Sequence, residues 1–160
     1  MTTEEELKRL LAGSRKTFAL AESCTGGLIA SRVTDVPGAS EYFEAGVVSY
    51  SNRAKEKFLS VPARVIASHG AVSAETATEM AVGIRHAADS DIGLSVTGVA
   101  GPDGGSLAKP VGTVFIGLAA EGTTIAKRYF FSGTRREIRE QTAEAALRLL
   151  VTFLEGRPTV

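Results

Sequence analysis

Residues 22–27, Glu-Ser-Cys-Thr-Gly-Gly, place two hydroxyls, a thiol and bare backbone directly after the apolar run Phe18-Ala19-Leu20-Ala21. Ser23 is the candidate nucleophile. A serine alcohol attacks a carbonyl only when a base takes its proton and nearby donors hold the oxyanion that forms. A strand-to-helix turn at Gly26 and Gly27 supplies backbone N–H groups for a developing oxyanion or a bound anion. The plainer reading is that Ser23 and Thr25 only start the helix that follows. Cys24 is the rival nucleophile. Strand alternation sends it away from Ser23, and a small buried side chain is the ordinary role of such a cysteine. The stretch is not GxSxG, and neither His69 nor His86 stands where a Ser-His-Asp triad is suggested.

Lys55 is the candidate base. Asn52 can cap a short helix running to Leu59, which makes Lys55 its third residue. A cation is disfavoured at that positive end. Phe58 and Leu59, three and four positions on, turn this side toward the core. Desolvation and the helix dipole then both lower the amine pKa. Lys57 has Ser60 and Val61 at the same offsets and reads as more exposed. The competing picture for Lys55 is a solvated surface lysine. Tyr50, just before this helix, can position a substrate, relay a proton or simply pack with its hydroxyl wet.

Two further segments carry binding chemistry. Thr-Gly-Val-Ala-Gly-Pro-Asp-Gly-Gly (97–105) follows an apolar strand and matches neither GxxxxGK[ST] nor GxGxxG. Its amides can bind phosphate or ribose, or the segment is only a mobile loop. Arg135 and Arg136 fall in the first turn of a helix opened by Thr134. Cations there cost about 0.3–1 kcal/mol each. An anionic ligand reverses that sign, because guanidinium and helix N–H groups then act together; the alternative is two arginines turned into solvent.

The elements that must position these groups alternate. A helix starts at Thr3, which with Glu6 fits a capping box, and ends near Gly13. Strand 17–22 leads to a helix from Thr25 to about Val36, broken by Pro37-Gly38. Strand 45–51 precedes the Asn52–Leu59 helix, and Pro62 opens another. Ser73 opens a longer helix whose Ala77, Met80, Ala81, Ile84 and Ala88 share a face. Strand 91–98 follows, then a hairpin turning at Glu121-Gly122, then a helix with Thr134 and Glu137 as a capping box. The expected class is α/β: a mixed sheet flanked by helices in three layers.

The totals bound the rest. With 160 residues, 44% of them apolar, the chain is one domain (1–160) able to bury a core. Its formal net charge of +0 gives no electrostatic case for nucleic acid or an anionic membrane. The acidic start Met-Thr-Thr-Glu-Glu-Glu has no signal-peptide core, and no stretch approaches a membrane span. A lone Cys24 suits a reducing compartment, so a cytoplasmic location is expected. His69 and His86 sit in no metal-ligand spacing, and no metal is expected.

In chain order, AESCTGG, GVVSYSNRAK, HGAVS, VTGVAGPDGG, KPVGTVFIG and FSGTRR strongly resemble the CinA C-terminal family, and within it the stand-alone nicotinamide mononucleotide deamidases of the PncC type. The resemblance runs from about residue 5 to 155. It implies a three-layer α/β/α fold and hydrolysis of nicotinamide mononucleotide to nicotinate mononucleotide and ammonia, in pyridine nucleotide recycling, with no metal or organic cofactor. It implies Ser23 as nucleophile, Lys55 as base and Tyr50 as an assistant. Thr25, Gly26, Gly27, Thr97 and Gly98 would line the substrate site, and Arg135 would meet the phosphate, with Arg136 the adjacent alternative. A homodimer or higher homo-oligomer is also expected on this ground. Larger family members carry a further N-terminal domain, which this sequence is expected to lack. Two alternatives stand beside this reading: a non-catalytic pyridine-nucleotide-binding module, and an amidohydrolase for another phosphorylated amide.

Overall fold

The computed structural model describes all residues, Met1–Val160. Its strands are β1 (Phe18–Glu22), β2 (Phe43–Val48), β3 (Ile92–Gly98), β4 (Thr113–Ala120) and β5 (Thr123–Phe130). Its helices are α1 (Thr3–Ser14), α2 (Leu28–Thr34), α3 (Asn52–Leu59), α4 (Ala63–His69), α5 (Ala74–Ala88) and α6 (Arg135–Leu154). The strands form one sheet in the order β2-β1-β3-β4-β5. β1 is parallel to both β2 and β3, whereas β4 is antiparallel to β3 and to β5. This is the expected mixed sheet with helices on both faces.

The order decides where a site forms. The carboxyl ends of β1, β2, β3 and β5 lie along one sheet edge, so the loops after residues 22, 48, 98 and 130 meet there. The chain leaves β1 toward β2 on one side and reaches β3 on the other. That makes the end of β1 the switch point, where open α/β sheets bind ligands. Ser23 is the first residue beyond it.

The pleat sorts the core. Phe18 and Leu20 of β1, with Ile92, Leu94 and Val96 of β3, pack into the larger core under α1, α2 and α6. Ala19 and Ala21 face the other way, against Leu59, Met80 and Ile84. α5 sits unusually close to the sheet because Gly93 and Gly117 lack side chains: a Cβ would fall 2.0 Å from Ala81 O or 2.4 Å from Ala77 O. On the opposite layer, Arg32 of α2 bonds both Glu4 of α1 and Glu144 of α6. These contacts hold the ends of β1 and β3 between two braced helical layers.

Several boundaries differ from the sequence reading. The first capping box is Thr2 with Glu5, not Thr3 with Glu6; in Thr-Thr-Glu-Glu-Glu both pairs have the right spacing. α2 begins at Leu28 rather than Thr25, because Gly26 and Gly27 adopt positive φ (59° and 102°) and complete a turn first. β2 covers residues 43–48 rather than 45–51, and α3 is capped by Ser51, not Asn52. Pro62 is the N-cap of α4. Phe58 is exposed, with Lys57 Nζ over its ring, so only Leu59 turns that side of α3 inward.

Candidate active site

Lys55 is only 1% exposed. Its Nζ lies 2.9 Å from Ser23 Oγ and donates to Ser49 O at 2.8 Å and Tyr50 O at 3.1 Å. Those carbonyls belong to the segment leaving β2. Burial pushes the Lys55 ammonium down to about 8 from its usual 10.5. A neutral amine keeps two N–H donors, one for each carbonyl, and has one lone pair. The remaining direction holds Ser23 Oγ, so the alcohol proton faces that lone pair. When the amine is charged, the remaining acceptor for the Ser23 hydroxyl is Tyr50 O, at a long 3.5 Å.

The turn that carries Ser23 is held by Glu22, whose carboxylate is buried. It accepts from Thr25 Oγ1 at 2.6 Å and from the amides of Ile29 and Ala30, both at 3.0 Å. The N-terminal pole of α2 is therefore already filled by a carboxylate. The Gly26 amide bonds Ser23 O at 3.0 Å. The amides of Cys24 and Thr25 have no acceptor within the chain. The unpartnered amides of the turn thus lie earlier than Gly26, and of the two residues Cys24 is the one at the cavity lining. Strand alternation does not keep Cys24 out of the site: it lines the same cavity as Ser23 and Lys55, packs against Ala100 and Ile138, and burial raises its thiol to about 11. It is a protonated wall of the cavity rather than a thiolate.

A cavity of about 310 Å³ opens over this pair. It brings together Ser23, Tyr50, Lys55, Thr97, Gly98 and Arg135 from loops distant in sequence. Thr97 uses its hydroxyl on Ala71 O (2.8 Å), fastening the wall that precedes α5. A side chain at Gly98 would strike Val114 Cγ2 at 2.7 Å and approach Cys24 Sγ at 3.2 Å. Arg135 reaches across the opening, donating to Gly101 O (2.6 Å) and Tyr50 Oη (3.0 Å). Arg136 points away from this cavity and pairs with Glu140 at 2.9 Å. The structure does not bring Thr25, Gly26 or Gly27 to the cavity lining: the Thr25 side chain is turned to Glu22, and the two glycines form the turn behind Ser23.

The profile of the CinA C-terminal domain matches residues 1–154. The chain belongs to the CinA C-terminal domain family. It is similar to a CinA-like protein of Geobacter sp. (strain M21), 54% identical over 156 residues, covering 98% of this chain and 38% of that protein. A putative competence-damage inducible protein of Caldanaerobacter subterraneus subsp. tengcongensis is 52% identical over 154 residues, 96% of this chain and 37% of that protein. The chain thus spans less than two fifths of these curated relatives. Among solved structures, the competence damage-inducible protein A of Klebsiella pneumoniae superposes with a TM-score of 0.92 at 35% identity, covering 96% of this chain and 95% of that one. A competence/damage inducible protein of Agrobacterium tumefaciens gives 0.89 at 37% identity, with the same coverage.

Three residues of this CinA domain escaped the sequence reading: Glu22, Ser49 and Arg139. Ser49 donates from both its amide (2.8 Å) and its hydroxyl (3.2 Å) to Glu22 O, joining the ends of β1 and β2 beside the lysine. Arg139 bonds the carbonyls of Cys24 and Thr25. Of the three, only Arg139 left a signal: it stands four residues after Arg135, on the same side of α6. No helix of the protein is long and apolar enough to cross a membrane.

Proposed function

We propose that this CinA domain hydrolyses the carboxamide of nicotinamide mononucleotide to nicotinate mononucleotide and ammonia, with Ser23 as nucleophile and Lys55 as base. The observation that carries the reading is the 2.9 Å contact between a buried amine and an alcohol at the floor of an open cavity. A buried lysine is expensive to maintain, and pairing it with a hydroxyl rather than a carboxylate suits proton transfer.

Neutral Lys55 takes the Ser23 proton while Oγ bonds to the amide carbon, and the carbonyl pair moves onto oxygen. The Cys24 amide receives that oxyanion. The intermediate collapses, the C–N bond breaks, and the Lys55 ammonium gives its proton to the departing NH2, releasing ammonia. Water attacks the resulting ester and yields a proton to Lys55. Collapse of the second intermediate frees nicotinate, and Ser23 takes the proton back. Arg135 meets the phosphate of the same substrate. Binding energy from that distant group serves to place a small, unactivated amide against Ser23.

Ammonia release from nicotinamide mononucleotide tests this directly. Wild type is expected to turn over, and Ser23→Ala to fall by about 10³-fold or more. Full turnover by Ser23→Ala would remove serine chemistry. No release by wild type would leave a nucleotide-binding module, or an amidase for another amide.

A further inference from the structure

Arg139 lies outside the cavity around Ser23, and none of the steps above uses it. Its guanidinium donates from Nε to Cys24 O at 3.1 Å and from Nη2 to Thr25 O at 2.8 Å. These are the first two carbonyls after the nucleophile's own. Within one trans peptide unit the C=O and N–H point in opposite directions. Holding the Cys24 carbonyl therefore sets the direction of the Thr25 N–H. Holding the Thr25 carbonyl sets the Gly26 N–H, which closes the turn onto Ser23 O at 3.0 Å.

Glu22 fixes the same turn from inside through Thr25 Oγ1, Ile29 N and Ala30 N. The segment is pinned on both sides, while the Cys24 and Thr25 amides keep no acceptor of their own. A cation on the carbonyl end of a peptide also polarises its N–H and strengthens it as a donor. Arg139 has no carboxylate partner; both its bonds go to this turn.

We propose that Arg139 is a positioning residue: by holding this turn closed onto Ser23 O it fixes the Ser23–Cys24 peptide, whose N–H lies at the cavity lining, as the oxyanion donor for Ser23. This rests on Ser23 being the attacking group, but not on the identity of the amide. The test uses an alkyl fluorophosphonate, which needs no natural substrate. Ser23 Oγ bonds to phosphorus, the P–F bond breaks, fluoride leaves, and Lys55 takes the alcohol proton. Charge grows on the phosphoryl oxygen, as it does on the carbonyl oxygen of an amide.

The inactivation rate at saturation should fall about 10²-fold in Arg139→Met. The half-saturating concentration of the reagent and the pH midpoint of the rate should stay those of wild type. Arg139→Lys keeps the charge but not the fork, and should fall about tenfold. Labelling of Arg139→Met within threefold of wild type would overturn the proposal. So would a loss seen only as weaker reagent binding. A wild type that labels at Ser23 yet releases no ammonia from nicotinamide mononucleotide loses the substrate reading but leaves this comparison intact. A wild type that does not label at Ser23 overturns both.

Discussion

Replacing Lys55 with methionine is expected to lower ammonia release from nicotinamide mononucleotide by about 10³-fold or more, because Ser23 then has no group to take its proton. The same substitution should change the pH dependence of stability. The folded Lys55 amine titrates near 8, below its ordinary 10.5. Between these values the unfolded chain holds more protons than the folded one, so wild-type stability rises with pH across that window. Below about pH 8 the full cost of a buried ammonium is present, on the order of 3 kcal/mol. Methionine carries no such cost at any pH. Its stability relative to wild type should therefore be greatest near pH 7 and fall by about 3 kcal/mol by pH 10.5. Urea unfolding of both proteins at the two pH values reads this. A constant difference would mean that the amine is not desolvated, and the base assignment would fall with it.

Arg135→Ala should cost about 10²-fold in kcat/KM for nicotinamide mononucleotide, the size of a lost charge-assisted contact to phosphate. Nicotinamide riboside, which has no phosphate, should be turned over nearly as before. Selectivity for the phosphorylated substrate thus collapses rather than activity in general. The riboside also serves as an internal control. Arg135 holds Gly101 O and Tyr50 Oη, and damage from losing those bonds would appear with either substrate. Arg136→Ala should stay within twofold of wild type, since that side chain already pairs with Glu140 away from the cavity. Equal losses on both substrates would show that Arg135 only braces the loops.

Ser23 and Lys55, which the fold brings into contact, stand out in the sequence for local reasons. Ser23 follows a strand of four apolar residues and Glu22, and Lys55 stands near the start of a short helix with Leu59 one turn on. Helix position and burial were enough to mark that amine as unusual. The precise cap was not, since Ser51 and Asn52 are both good N-cap residues one position apart. The first helix shows the same degeneracy at Thr2 and Thr3.

What stayed hidden depends on distance along the chain. Arg139 reaches the turn across 115 residues and Ser49 reaches Glu22 O across 27. Glu22 itself read as the end of a strand; only the fold shows that its carboxylate fills the start of α2 and so displaces Thr25 and the glycines from ligand duty. The choice between Arg135 and Arg136 has the same origin. Both lie in the first turn of α6, and the direction in which that helix approaches the sheet edge sends one over the cavity and the other to Glu140.

Ser23 is armed by a Lys55 amine that loses its charge near pH 8 rather than near 10.5. Isotope-edited NMR of the lysine ε-amines, with Lys55→Met to assign the signal, reads its titration directly. The account predicts a midpoint near 8, matched by a rise in kcat/KM for nicotinamide mononucleotide with the same midpoint. A Lys55 amine that stays protonated up to its ordinary 10.5, in an enzyme already at full activity at pH 8, would contradict it.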